Sequence, residues 1–288
     1  MSTDDKPTTM DEAFFTEYTS HGAILKYTKA TAGHGISYLL DHDYKDVYLG
    51  ALATLPAGGK QRGIRILEFG CGGGMNLVQL VSVLKREGVK VEQAVGADFS
   101  PVLIEAAKRE SKNYLRPEDQ AGIEFHIAKN ESLASDLSAA TGIDSAKLAD
   151  SFDFILGVNT MRYCHHSGSE LSAARNILHL LKPGGVCVNI DMNDRFPLFV
   201  SAVKNKFRLH KLEECYIPSL EEYAAPFKAT GFEILREEHF CWVSHSAGNL
   251  LCLGLRTLAP VLNVLCKSRA MRSLVVARKP AKPFSKSA

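Results

Sequence analysis

Short apolar runs alternate with helical patterns across the middle of the chain. Five runs are apolar at nearly every position, as is typical of strands covered on both faces: 64–69, 91–97, 123–127, 152–156 and 186–190. Apolar spacing and start or stop residues predict helices at 77–84, 101–114 and 169–181. Strands and helices in such alternation predict βαβ units and therefore a parallel sheet.

The two ends of the chain depart from this alternation. Residues 11–55 are predicted to form helices with loops, and Pro56 to Gly59 breaks the chain. A polar stretch at 133–151 is predicted to hold one short helix, and a later unit joins helix 220–229 to strand 232–235. A last strand is predicted at 273–277. The organisation expected is a helical cap or lid at 1–59, an α/β core at 60–195, and residues 196–288 as the C-terminal part of the same domain.

Composition excludes few classes of protein. The chain has 288 residues, 34 Lys and Arg against 32 Asp and Glu, and 45% hydrophobic residues. These values exclude disordered and fibrous chains, and they give no basic surplus that would indicate nucleic acid. Seven scattered cysteines without a CxxC pair predict neither a disulfide framework nor a metal site. The polar N-terminus lacks a signal-peptide pattern, so a cytoplasmic location is expected.

A glycine cluster stands where the first strand meets the first helix. The pattern is acidic-x-Gly-x-Gly-x-Gly, at Glu68, Gly70, Gly72 and Gly74. Glycines let the backbone approach a ligand, and the helix N-terminus that follows attracts an anion. Asp98 ends the next strand and can accept hydrogen bonds from two ribose hydroxyls. The pattern predicts a nucleotide-like ligand.

Several motifs together resemble class I S-adenosylmethionine-dependent methyltransferases. They are Ile66 to Gly74, Gly96 to Ser100, Phe152 to Leu156, Leu180 to Gly185 and Gly231 to Leu235. The resemblance implies a Rossmann-like, doubly wound, mostly parallel seven-stranded sheet with an antiparallel last strand. It also implies S-adenosylmethionine as cofactor, with its methionine part on the glycine loop, its ribose on Asp98 and its adenine on the third-strand loop. The predicted cofactor contacts are Glu68, Gly70, Cys71, Gly72, Gly74, Asn76, Asp98, Phe99, Ser100, Asn130, Glu131 and Asn159.

The third-strand loop departs from the family pattern. Lys129 occupies the position where the family usually has an acidic residue for the adenine amino group. Asn130 or Glu131 could take that role, because either side chain can accept a hydrogen bond from the amine.

The acceptor side is less well defined by the sequence. The segment after the fourth strand lacks the Asn/Asp-Pro-Pro-aromatic tetrapeptide of methylases that act on DNA bases or on glutamine. His165 or His166 could act as a general base, or both could belong to a solvated loop or helix cap. Tyr27 could close over the cofactor or pack within the cap. The residues predicted to contact the acceptor are His34, Arg162, Tyr163, Asn193, Trp242 and His245.

An apolar stretch at 247–265 falls between the sixth and seventh predicted strands, where the family has a short hairpin. Leucines recur there at steps of four and three, which predicts an amphipathic helix interrupted at Pro260. Arg256, Pro260 and two glycines argue against a transmembrane span. Packing on the domain is the simplest role; an apolar lid, a dimer face or an interfacial membrane contact are the alternatives.

The sequence therefore predicts a methyltransferase that acts on O or N, and less readily on S or C, of a small-molecule acceptor. Nucleic acid is not expected as a partner, and the chain could form a homodimer. A nicotinamide-dependent Rossmann oxidoreductase is one alternative, although the third glycine of its fingerprint would fall at Met75. A non-catalytic methyltransferase-like binding subunit is the other.

Overall fold

The computed structural model describes residues 39–56, 63–120, 122–199, 217–244 and 247–281. Three predicted site residues, Tyr27, His34 and His245, lie outside these ranges, as do the helices predicted before residue 39. The backbone of His166 is described, but its side chain is not.

Within these ranges seven strands form one sheet, in the order β3-β2-β1-β4-β5-β7-β6. The strands are β1 (Ile64–Phe69), β2 (Val91–Asp98), β3 (Ile123–Ile127), β4 (Phe152–Val158), β5 (Leu181–Met192), β6 (Glu233–Phe240) and β7 (Arg272–Arg278). The first five are parallel, and β7 runs antiparallel to both β5 and β6. The predicted Rossmann-like sheet with an antiparallel last strand is confirmed. Because β6 is parallel to β5, strands β1 to β6 all end at one edge, called the carboxyl edge below.

Helices cover both faces of the sheet. They are α1 (Asp43–Ala53), α2 (Met75–Arg86), α3 (Pro101–Tyr114), α4 (Pro117–Gln120), α5 (Leu133–Thr141), α6 (Ser145–Leu148), α7 (Met161–Ser167), α8 (Glu170–Leu180), α9 (Leu220–Ala229) and α10 (Asn249–Cys266). One apolar cluster lies between the sheet and α1, α2 and α3, and another lies beneath α5, α8 and α9. Tyr44 and Tyr48 of α1 are buried, and the ring of Tyr48 meets that of Phe154 edge-on at 6.2 Å. This helix therefore belongs to the core.

Three predictions about local structure are wrong. The stretch 133–151 holds two helices, α5 and α6, instead of one. β5 begins at Leu181 and includes the Pro-Gly-Gly turn, because Gly184 donates to the carbonyl of Lys279 and Lys279 donates to that of Gly185. The turn is thereby paired to the end of β7. Helix α10 continues through Pro260.

Helix α10 is the predicted insertion between β6 and β7. Of the residues described, one stretch, Asn249–Arg269, is long and apolar enough to cross a membrane by length and composition alone, with a mean hydropathy of 1.5. Such a stretch is by itself weak evidence for a membrane span. Only Cys252 of α10 is buried, so the prediction that this helix packs on the domain holds for one narrow face.

Candidate functional site

The glycine loop joins β1 to α2 at the carboxyl edge. Gly70, Gly72 and Gly74 have φ values of +60°, +53° and +77°, which side chains rarely adopt. A Cβ on Gly70 would lie 2.2 Å from the Thr160 hydroxyl, so packing requires glycine there. A Cβ on Gly72 or Gly73 would meet no protein atom within 4 Å. The loop is therefore packed at its ends and open above its middle, which leaves a cradle for a ligand.

Glu68 supports the loop from below. The side chain is fully buried, and its carboxylate accepts a hydrogen bond of 3.0 Å from the backbone N–H of Leu77 in the first turn of α2. Burial raises the pKa of Glu68 to about 8, although hydrogen bonds from Asn76 and Leu77 oppose the shift. Glu68 thus caps the helix that closes the loop, and Asn76 lies beside it.

This burial predicts a pH-dependent stability. The carboxyl of Glu68 ionises near its ordinary pKa of 4.5 when unfolded and near 8 when folded, so the folded state holds the proton more tightly. Its stabilising contribution is complete below about 4.5 and is lost as pH rises towards 8. We expect Glu68→Gln, which keeps an acceptor for Leu77, to reduce by several degrees the fall in melting temperature between these pH values. An equal fall in melting temperature between these pH values in the variant and the wild type would contradict the assignment.

Asp98 ends β2 beside the glycine loop and is 5% exposed. One carboxylate oxygen accepts from the N–H of Gly72 at 2.9 Å, and the other accepts from the N–H of Ser100 at 2.9 Å. Burial raises its pKa, while these two hydrogen bonds oppose the shift. A carboxylate has about four acceptor positions, so each oxygen retains one for a ribose hydroxyl. Both oxygens of Asp98 are therefore available for the ribose contact, which stays a prediction.

Three further predicted cofactor contacts lie at the carboxyl edge. Cys71 is buried, and its N–H donates to the carbonyl of Ala97 at 2.9 Å, which fastens the loop to β2. Ser100 is buried and caps α3 by accepting from Leu103 at 3.3 Å. Phe99 lies half-buried between Asp98 and Ser100. Cys71 and Ser100 hold backbone in place, so their contribution to cofactor binding is mainly through that backbone.

The third-strand loop is linked to the glycine loop through one side chain. The amide of Asn130 donates to the Thr160 hydroxyl at 2.8 Å, and the same hydroxyl lies against Gly70. Glu131 is exposed, and its carbonyl accepts from Asn176. Lys129 is exposed too, and its N–H donates to Asp136 at 2.9 Å. Asn130 is the better placed of the two predicted adenine contacts, because its carbonyl oxygen remains able to accept from the adenine amine.

Asn159 follows β4 in a left-handed backbone conformation, with φ +56°. This conformation costs free energy for residues other than glycine, and asparagine tolerates it best. The side-chain oxygen of Asn159 accepts from the Arg272 guanidinium at 2.8 Å. Arg272 is 5% exposed at the start of β7. Arg272 is not among the site residues predicted from the sequence; it stands directly before the last predicted strand, at 273–277.

A buried carboxylate at the end of β5 organises the segment after β4. Asp191 is fully buried, and it accepts from the backbone N–H of Arg162 at 3.1 Å. The Nε of Arg162 lies 4.0 Å from the carboxylate, and the guanidinium lies 4.5 Å from the centre of the Tyr163 ring. Burial raises the pKa of Asp191, and Arg162 opposes the shift. Arg162, predicted to contact the acceptor, thus lies beside a buried carboxylate of the protein itself.

His165 lies on the inner side of α7. Its ring packs edge-on against that of Tyr223 at a centroid distance of 5.9 Å, and its Nδ1 is 4.0 Å from a carboxylate oxygen of Glu170. Its side chain is 12% exposed, and the Nε2 atom is fully buried. Because the ring is packed against Tyr223 and its Nε2 atom is buried, the geometry does not favour His165 as a general base.

Two predicted acceptor contacts are engaged elsewhere in the fold. Asn193 is fully buried, and its amide donates to the carbonyls of Ser268 and Ala270 while its oxygen accepts from the N–H of Arg195. Trp242 donates from its indole to the side chain of Asn263 at 2.8 Å. Because these groups are occupied, the structure does not favour the predicted acceptor contacts. Asn193 fastens the segment before β7, and Trp242 fastens α10.

The cradle above Gly72 and Gly73 and the spare acceptor positions of Asp98 fit S-adenosylmethionine. The loop would hold its methionine part and Asp98 its ribose, while Asn159 would border the methyl end. Together with the antiparallel seventh strand, this arrangement defines the class as an S-adenosylmethionine-dependent methyltransferase with a class I, Rossmann-like fold. The chain belongs to the family described as "Methyltransferase domain", whose profile matches residues 40–237, more than half of the chain.

Curated relatives match part of the chain. A "Ubiquinone biosynthesis O-methyltransferase" of Cereibacter sphaeroides is 30% identical over 142 residues, which cover 49% of this chain and 47% of the relative. A "Citrinin polyketide synthase" of Monascus ruber is 30% identical over 135 residues, 46% of this chain and 4% of the synthase. The matched region therefore spans less than half the length of either relative.

Solved structures support the fold. An S-adenosylmethionine-dependent methyltransferase of Thermotoga maritima, described as a possible histamine N-methyltransferase, has a TM-score of 0.54 at 16% identity. The similarity covers 92% of this chain and 98% of that one. A methyltransferase of Mesorhizobium loti has a TM-score of 0.52 at 20% identity, over 83% of this chain and 99% of that one. At these identities the solved structures show the fold alone. Membership of the family identifies the chain as a methyltransferase domain with S-adenosylmethionine as its cofactor.

Proposed function

We propose that this methyltransferase transfers the methyl group to an oxygen or nitrogen atom of a small-molecule acceptor. The observation that carries the proposal is that the cradle of the glycine loop and the left-handed Asn159 end neighbouring strands, β1 and β4. An acceptor held beyond β4 and β5 would therefore lie next to the methyl group. The ubiquinone relatives, named as O-methyltransferases, favour an oxygen acceptor.

The residues around this edge act mainly by holding other protein groups in place. S-adenosylmethionine supplies an already activated methyl group on a sulfonium, so alignment and the exclusion of water account for most of the rate. Arg272 fixes the side chain of Asn159, and Asp191 fixes the backbone of Arg162. A base is needed only when the acceptor arrives protonated.

The acceptor class can be tested by the formation of S-adenosylhomocysteine from S-adenosylmethionine. The panel comprises a catechol, a phenol, a primary amine and a thiol, each with the wild-type chain. We expect turnover with an oxygen or nitrogen acceptor. An Asp144→Ala chain is the matched control, because Asp144 caps α6 away from the carboxyl edge. It should turn over the same acceptors as the wild type. No turnover with any acceptor, by a chain that binds S-adenosylhomocysteine, would favour the non-catalytic binding subunit instead.

The general-base hypothesis is tested at both histidines. Because His165 packs inward against Tyr223, we expect His165→Gln to retain kcat within about threefold. If His166 is the base, His166→Gln should lower kcat about 100-fold and leave cofactor affinity unchanged. A large loss in the His165 variant alone, with a shifted pH profile, would restore that residue as the base. Full activity in both variants would remove the role of general base from both histidines.

The cytoplasmic location and the homodimer also stay predictions.

A further inference from the structure

Helix α10 presents its most apolar face to the outside of the protein. The exposed large side chains of this helix are Leu250, Leu251, Leu253, Leu258, Val261, Val264 and Leu265. Leu250 and Val264 are 87% and 85% exposed. At 100° per residue, Leu250, Leu253, Val261 and Val264 share one side, opposite the buried Cys252. Apolar patches of this kind on the surface of a protein mark a site of contact with something else.

Arg256 and Asn263 lie on the same side of the helix as Cys252, whereas Thr257 lies among the outer residues. Asn263 accepts the hydrogen bond from Trp242. Burial raises the pKa of Asp43 of α1, and Arg256 is among the groups that oppose the shift. Arg256, Trp242 and Asn263 line one cleft together with Asp43. The side that packs on the domain is apolar as well, since Cys252 is buried and Leu255 packs against the core cluster. The helix is thus apolar on both sides, and the domain covers only one of them.

The connections of α10 are incompatible with a helix that crosses a bilayer. Phe240 at the end of β6 pairs with Arg272 at the start of β7, so the insertion leaves and returns at one point of the sheet. Five residues separate Cys266 from Arg272, and an extended chain spans at most about 3.6 Å per residue. That reach is roughly 20 Å, short of the hydrocarbon core of about 30 Å. A helix tied to the domain by Trp242 and Cys252 must lie along the surface instead.

Charge selects among the possible occupants of this face. The stretch Asn249–Arg269 contains three cations, Arg256, Lys267 and Arg269, and no carboxylate. Lys267 also pairs with Glu238 on β6, whereas Arg269 is exposed beyond the last turn. An apolar face without carboxylates, with Lys267 and Arg269 at its C-terminal end, is typical of helices that lie in the interface of anionic membranes.

We propose that α10 lies in the surface of an anionic phospholipid bilayer and holds the carboxyl edge of the sheet against it. The helix follows β6, whose end lies at the same edge as the glycine loop and Asn159. Leu198, in the turn that follows β5 at this edge, is also 43% exposed. The acceptor is then a small apolar molecule dissolved in that membrane. This last part rests on the proposed function; the contact with the bilayer does not.

Vesicle co-sedimentation of the full chain with saturating S-adenosylhomocysteine tests the contact. The vesicles contain phosphatidylcholine alone or phosphatidylcholine with phosphatidylglycerol. We expect the wild type to bind the second kind more tightly, and the double variant Leu250→Gln with Val264→Gln to lose at least tenfold in partition coefficient. The matched control is Tyr114→Gln with Ile143→Gln, since these side chains are 55% and 39% exposed elsewhere on the domain. The control should bind as the wild type does.

Each other outcome overturns the proposal. A wild type that stays in solution with both kinds of vesicle excludes the bilayer. Equal losses in the test and control variants would mean that binding is not specific to α10. A lipid-free dimer that the double variant alone converts to a monomer assigns the face to a second copy of the chain. Cofactor affinity is measured for every variant, and acceptor turnover is measured without lipid, so failure of the membrane contact is distinguishable from failure of the proposed methyl transfer.

Discussion

Replacement of Asp98 by alanine is expected to weaken the binding of S-adenosylhomocysteine by a factor of about 30 or more. The variant lacks the carboxylate and therefore its two contacts to the ribose. A buried charged acceptor contributes more to binding than an exposed one. The same change removes the acceptor of the N–H groups of Gly72 and Ser100, so the loop loses its anchor as well. Titration calorimetry gives the dissociation constant directly.

Asp144→Ala is the matched control for this change. Asp144 also accepts a backbone hydrogen bond, from Ala146 at 2.7 Å, and it also stands at the start of a helix. Its loss should lower stability by about 1 kcal/mol without any effect on cofactor binding. An unchanged dissociation constant for Asp98→Ala, in a chain whose melting curve shows it folded, would contradict the ribose assignment.

The fold could be predicted from the sequence where local pattern and tertiary environment agree. Strands β1 and β4 are buried on both faces, as is the second half of β2. The observed bounds of β1 to β4 agree with the predicted ones within two residues. The start of β5 was missed because Pro183 and Gly184 are typical of a turn. Pairing of Leu181 with Phe152 and of the turn with Lys279 makes this segment part of the strand. The path of α10 through Pro260 was missed for a related reason: an exposed helix can leave the freed carbonyl to water.

The cofactor side of the site could also be predicted, because the glycine loop and Asp98 are local signals at the ends of consecutive strands. The acceptor side could not be predicted. Arg272 contacts Asn159 from 113 positions away, and no local pattern reports such a pair. His165 looked like a loop residue, yet α7 turns it inward against Tyr223, which belongs to a helix nearly 60 positions further on. Contacts of this kind depend on how helices pack over the sheet.

Gly72→Ala is expected to weaken cofactor binding by at least about tenfold while the chain still folds. No protein atom lies within 4 Å of the position that the new methyl group would take, so nothing in the chain itself obstructs it. The methyl group would instead occupy the cradle that the methionine part of the cofactor needs. The N–H of Gly72 that donates to Asp98 would be displaced at the same time if the backbone relaxes.

Gly88→Ala separates the effect of occupied space from the effect of backbone strain. Gly88 follows α2 with φ +72°, and a Cβ there also meets no atom within 4 Å. Both variants force alanine into a left-handed conformation, which costs about 1–2 kcal/mol of stability in each. Only Gly72→Ala should lose affinity for S-adenosylhomocysteine, because Gly88 lies at the far end of α2 from the glycine loop. Equal affinities in the two variants would mean that the space above Gly72 is not where the cofactor binds.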